Sequence, residues 1–63
     1  MNTNKLKKNR KAQGMTLNKL SELSGVSMWY ICHLEKGTRK NPSKETMEKI
    51  AKALDKSVIE IFF

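Results

Sequence analysis

The sequence predicts an all-α fold, a compact five-helix bundle, and three observations lead there. No stretch alternates β-branched with polar residues, and no Asn-Gly or Asp-Gly pair offers a hairpin turn. Glycines and the single proline cut the chain into short segments. Most segments open on Ser or Thr, residues that cap helices, and carry apolar side chains at helical spacing.

The elements follow in order. Lys5 to about Gln13 is rich in helix formers and stops at Gly14. Thr16 caps a second helix, in which Leu17, Leu20 and Leu23 are expected to form one inward stripe. Ser24-Gly25-Val26-Ser27 is a tight turn: Gly25 accepts a positive φ, and Ser27 caps a third helix that runs to Lys36 and stops at Gly37. Asn41-Pro42-Ser43 breaks the chain again, and Ser43 caps a fourth helix whose Met47, Ile50, Ala51 and Leu54 face a core. Ser57-Val58-Ile59-Glu60 reads as a capping box opening a last short helix that ends in Ile61-Phe62-Phe63.

Sixty-three residues suit one domain over 1–63, with a modest core and little room for a deep catalytic cleft. No apolar run approaches a bilayer span, and the start of the chain is polar with no signal-peptide pattern. The lone Cys32 has no internal disulfide partner, so a reducing cytoplasm is the expected setting. Thirteen Lys and Arg against six Asp and Glu give a net charge of +7. The excess is concentrated in Lys5, Lys7, Lys8, Arg10 and Lys11, and again in Arg39, Lys40 and Lys44. Two basic clusters around a neutral middle fit a phosphate footprint, and a solvated surface would carry them equally well.

The stretch from Leu17 to Lys36 has the layout of a helix-turn-helix. Leu20, Val26, Ile31 and Leu34 are apolar where the two helices meet the core. Ser21 is small where they cross, and Gly25 stands at the turn. With those positions turned inward, Ser27, Met28, Trp29, Cys32 and His33 are left on the outer face, spaced to reach one groove.

These pieces together resemble the Cro-type, or XRE-like, helix-turn-helix family, which includes the repressors of lambdoid phages. Leu6, Arg10, Gly14, Met15 and Thr16 fit its first helix and turn, and Leu20 to Ser27 its helix-turn core. Tyr30 to Gly37 fits the reading helix and its exit. Pro42-Ser43 with Ile50 to Leu54 fits the fourth helix, and Ser57 to Phe62 the fifth. The resemblance implies a bacterial or phage-encoded regulator of transcription, a repressor, that binds double-stranded DNA as a homodimer on a palindromic operator. It would sit in the cytoplasm at the nucleoid, without catalysis and without a cofactor.

The resemblance also implies residue roles. Arg10 and Glu35 correspond to an ion pair between the first helix and the end of the reading helix, with Arg10 also near a phosphate. Thr16 and Leu17 would offer backbone N–H groups to a phosphate at the positive end of a helix. Lys36, Arg39, Lys40, Asn41 and Lys44 would line the other phosphate strand, positioning the domain without reading bases. Departures from the family pattern fall at informative places. Ser21 replaces the usual alanine, and its hydroxyl is expected to bond back to a helix carbonyl. Leu17 stands where glutamine is common. Met28 and Trp29 replace polar base readers, so apolar contact with thymine methyls is expected of them. Trp29 has the alternatives of packing over the adjacent turn or in a protein interface. His33 is the candidate for a hydrogen bond to a base edge, with a solvated helix residue as the other reading, and Tyr30 is expected to pack against the body.

Other chemistries find little support. Cys32 and His33 are adjacent, but neighbouring helix residues diverge by about 100°. No second Cys or His completes a metal site. A protein-interaction module on the same scaffold, such as an antitoxin or co-regulator, is the alternative function; Met28, Trp29 and the terminus Ile61-Phe62-Phe63 would seat its partner. That terminus would otherwise form a two-fold interface, or simply close the core through Val58, Ile61 and Phe62. The breaks at Gly14, Gly25, Gly37 and Pro42 argue against a membrane-surface helix, which needs one long amphipathic segment.

Overall fold

A computed structural model describes residues 4–39 and 41–63, and every regular element among them is a helix. They are α1 (Asn4–Ala12), α2 (Leu17–Ser24), α3 (Met28–Lys36), α4 (Lys44–Ala53) and α5 (Val58–Phe62). Local chemistry sets most of the ends. Thr16, Ser27, Ser43 and Ser57 each accept the N–H three residues on, at 3.0, 3.2, 3.1 and 3.2 Å. Ser57 and Glu60 complete the capping box, because the Ser57 N–H also donates to Glu60 Oε2 at 2.7 Å. At the other ends Gly25 (φ 76°) and Gly37 (φ 80°) turn left-handed, and the Gly25 N–H closes on the Ser21 carbonyl at 2.9 Å. Asn41 and Asp55 adopt the same region at φ 54° and 57°, a conformation these short polar residues tolerate.

The helices enclose one core of Leu6, Leu20, Val26, Ile31, Leu34, Ile50, Ala51, Leu54, Ile61 and Phe62. α2 packs against both α3 and α4, while α1 bridges α3 and α5. Met15, Leu17, Tyr30, Met47 and Val58 pack around this centre. Gln13 ties α1 to the end of α4 by donating Nε2–H to the Leu54 carbonyl at 2.6 Å. No helix among the described residues is long and apolar enough to cross a membrane.

Three expectations are corrected. Leu23 is exposed rather than part of the inward stripe. The buried positions of α2 are Leu20 and Ser24, with Leu17 partly covered, and at about 100° per residue their common direction lies well away from Leu23. The Ser21 hydroxyl donates to the Val26 carbonyl at 2.7 Å, so it stitches the turn instead of bonding back along its helix. At the C-terminus Ile61 and Phe62 fill the core, and the exposed apolar residues of α5 and its cap are Ile59 and Phe63, at 71% and 63% exposure.

Candidate nucleic-acid interface

The outer surface of α3 is placed by what its inner surface buries. Ile31 and Leu34 face the core, and Val26 fills the turn before the helix. The turn is pinned twice more: the Ser24 hydroxyl accepts the Val26 N–H at 3.1 Å, and Ser21 holds the Val26 carbonyl. Ser27, Met28 and Trp29 are thereby exposed at the start of α3, Trp29 to 59%.

Cys32 and His33, expected on the same open face, are only half-exposed. The Trp29 ring tilts over His33, with centroids 4.1 Å apart and planes at 47°. The guanidinium of Arg39 lies 5.7 Å from the Trp29 ring centroid and 5.3 Å from that of Tyr30, close enough for cation–π attraction. His33 Nδ1 lies 2.6 Å from the Thr38 hydroxyl. Trp29 thus packs partly over its own helix exit while keeping most of its surface open. Thr38 was not singled out by the sequence. A Thr five residues after His, just past a helix-ending glycine, is the local signal that could have found it.

A second surface adjoins this one. Lys7 and Lys11 of α1, Leu17 at the start of α2, and Cys32 and Lys36 of α3 line a cleft of about 350 Å³, with Arg10 and Glu35 at its floor. The Thr16 side chain caps the Lys19 N–H, which leaves the Leu17 N–H at the positive end of α2 beside these lysines. Cys32 lines this cleft whereas His33 turns to Trp29 and Thr38, so the two share no site. Among the described residues no cluster of His, Cys, Asp and Glu is arranged to hold a metal ion.

Arg10 holds the arrangement together. Its Nε and Nη2 donate to the two Glu35 carboxylate oxygens at 2.7 and 3.1 Å, and Nη1 donates to the Met15 carbonyl at 2.7 Å. The side chains retain only 9% and 6% exposure. The hydrogen bond to Glu35 raises the Arg10 pKa further above its ordinary value, against the opposing effect of burial. One fork therefore fixes α1, the approach to α2 and the end of α3 relative to one another.

The remaining candidates are dispersed. Arg39 is engaged with the two aromatic rings, and Asn41 and Lys44 are exposed at the entry to α4. Lys40 lies outside the described residues. A larger cleft, about 500 Å³, lies on the α4–α5 side, lined by Glu48, Lys52, Asp55 and Glu60 among others. It is remote from α3, and its Glu60 is committed to the capping box.

The family profile described as helix-turn-helix matches residues 6–61. Over 54 residues the chain is 37% identical to the HTH-type transcriptional regulator SinR of Bacillus subtilis, covering 86% of this chain and 49% of SinR. It is 36% identical over 53 residues to the HTH-type transcriptional regulator SlrR of the same organism, covering 84% of this chain and 35% of SlrR. The chain thus spans from about a third to a half of the length of these curated relatives. Among solved structures, the restriction-modification controller protein C.AhdI from Aeromonas hydrophila superposes with a TM-score of 0.88 at 35% identity, covering 95% of this chain and 89% of that one.

Proposed function

The chain belongs to the helix-turn-helix family, of the Cro type, and on that premise we propose that it is a sequence-specific, double-stranded-DNA-binding regulator of transcription acting as a repressor. The observation that carries this reading is the presentation of α3. Ser27, Met28 and Trp29 are exposed on the outer face of its capped first turn, and the lysine-lined cleft at the start of α2 opens beside it. In the proposed complex α3 enters the major groove, and Ser27, Met28, Trp29 and His33 meet base edges there, with Cys32 at the groove wall. Lys7, Lys11 and the Leu17 N–H take one phosphate strand, and Lys36, expected on the other, joins them because it lines the same cleft. Arg39, Lys40, Asn41 and Lys44 take the other, and Arg10 acts through the cleft floor. The names of SinR, SlrR and C.AhdI as regulators and a controller support the role.

The same reading makes 1–63 a single DNA-binding domain that works in the cytoplasm as a homodimer on a palindromic operator. Ile59 and Phe63, exposed one helical turn apart, support the dimer.

The test is affinity against salt, on a site selected from a random duplex library. Binding should weaken with a slope of log K on log salt of about −0.9 per neutralised phosphate. A salt-independent affinity would reject DNA as the ligand and favour a protein partner seated on Met28 and Trp29.

A further inference from the structure

Trp29 is the only tryptophan in the chain, and it stands exposed in the first turn of α3, outside the core. A side chain so placed ordinarily changes rotamer within nanoseconds. Here the chain beyond α3 reaches back to it. Gly37 turns left-handed, and the N–H groups of Thr38 and Arg39 then close on the His33 carbonyl at 3.0 and 3.2 Å. The backbone of Arg39 is thereby tied to the last turn of α3, and its side chain runs toward the first. Its guanidinium stands over two rings at once, 5.7 Å from the Trp29 centroid and 5.3 Å from that of Tyr30. The two rings differ in what holds them. Tyr30 packs against the core, whereas Trp29 has solvent on most of its surface.

We infer that Arg39 is a positioning residue for base recognition: its guanidinium ties the exposed Trp29 ring to the anchored Tyr30 ring, so that Trp29 meets the major groove already oriented. This deepens the DNA-binding reading and rests on it. His33 supports the same ring from one turn along the helix, its centroid 4.1 Å away. A contact made in the free protein removes rotamer freedom that binding would otherwise have to remove. It helps only where the bound ring keeps that orientation. The gain therefore belongs to the site on which Trp29 makes its base contact, and a scrambled duplex receives none of it. Stacking occupies the face of a guanidinium and leaves the N–H groups on its edge free, so Arg39 can still meet a phosphate. The two roles are separable, because lysine keeps the charge and lacks the flat face.

Two measurements test this. As the sole tryptophan, Trp29 reports its own mobility through time-resolved fluorescence anisotropy of the free protein. The decay of the parent should be dominated by overall tumbling. In Arg39→Ala a fast component from the loosened ring should grow, with helix content unchanged, and Arg39→Lys should lie between. A decay unmoved in Arg39→Ala overturns the role of Arg39 whether or not the protein binds DNA. On duplexes, the preference for the selected site over a scrambled one should fall about two- to fivefold in Arg39→Ala, the weight of one exposed cation–π contact. Arg39→Lys should keep the salt slope of the parent while losing part of that preference. In a Trp29→Ala background the same Arg39→Ala change should leave the preference unmoved, because nothing remains to be positioned. Equal losses on both duplexes would make Arg39 a phosphate contact alone. A loss of preference that persists without Trp29 would make it a reader of bases in its own right. Either result overturns the inference while leaving DNA binding intact. Failure to select any site would instead remove the reading on which it rests.

Discussion

A guanidinium taken out of water must have its donors answered, and at Arg10 Glu35 takes two and the Met15 carbonyl a third. Removing the carboxylate would strand a nearly buried cation, which costs on the order of 3–5 kcal/mol. In a domain this small that is a large part of the total. Thermal unfolding of Glu35→Ala should therefore show a severe loss, with most molecules unfolded near body temperature. A melting point equal to that of the parent would mean the fork contributes nothing. Composition presents Arg10 as one more surface charge, and its pairing came only from the family resemblance. A local signal was present nonetheless: Arg10 follows the buried Leu6 by four residues, so both share the inner face of α1. At the outer surface, Trp29→Ala and His33→Ala remove no core contact. Each is expected to lower the preference for the selected site over a scrambled duplex by about 1–3 kcal/mol, the weight of one mismatched base pair, with folding preserved. Equal losses on both duplexes would make these side chains positioning contacts only. The approach of Arg39 was not legible, because it depends on the path of the chain after Gly37, whereas Trp29 over His33 is an i, i+4 pair that helical spacing already offered.

Helix starts and glycine stops were legible because each is written in adjacent residues: Ser or Thr three positions before the N–H it caps, and glycine where φ turns positive. The end of α4 was less plain, because Asp55 occupies the left-handed position there in place of glycine. Leu23 was misread for a different reason. A three-residue spacing from Leu20 is correct for a helix face, but which side of that face is covered depends on where α3 and α4 pack. Gly25 allows conformation and space to be separated. A Cβ there would meet nothing within 4 Å, so Gly25→Ala costs only the left-handed backbone, about 1–2 kcal/mol. The variant should melt lower but still cooperatively, and a loss well beyond that range would reveal a contact the turn does not display. The capping box of α5 carries a pH dependence. The backbone hydrogen bond from Ser57 lowers the pKa of Glu60, so its contribution is present above the ordinary carboxylate range and is lost as pH falls through the folded value. Glu60→Gln should thus melt below the parent at neutral pH, and the gap should close on acidification. A gap that stays constant with pH would assign the effect to packing.

At the scale of the whole molecule, one basic cleft and one apolar patch lie on different elements. Lys7, Lys11 and Lys36 gather at the α1–α2–α3 cleft, while Ile59 of α5 and Phe63 at its cap are exposed. A two-fold axis through α5 would repeat the α3 surface along a duplex, and half-sites about 34–36 Å apart are the spacing such pairs require. Two exposed side chains are far short of the roughly 1,200 Å² that a stable interface buries, even with their neighbours added. The proposed dimer should therefore be weak in free solution and completed on DNA, where both subunits are held at high local concentration. Phe63→Asp tests this with little risk to folding, since the side chain is already mostly in solvent. Sedimentation of the parent should show mass rising with concentration, and the variant should remain monomeric over the same range. On a palindromic site the parent should bind with a steep, cooperative isotherm, and the variant should fill two half-sites independently. Affinity for an isolated half-site should be unchanged, because α3 and the lysine-lined cleft are untouched. An unaltered cooperative isotherm in Phe63→Asp would place the two-fold contact on another surface.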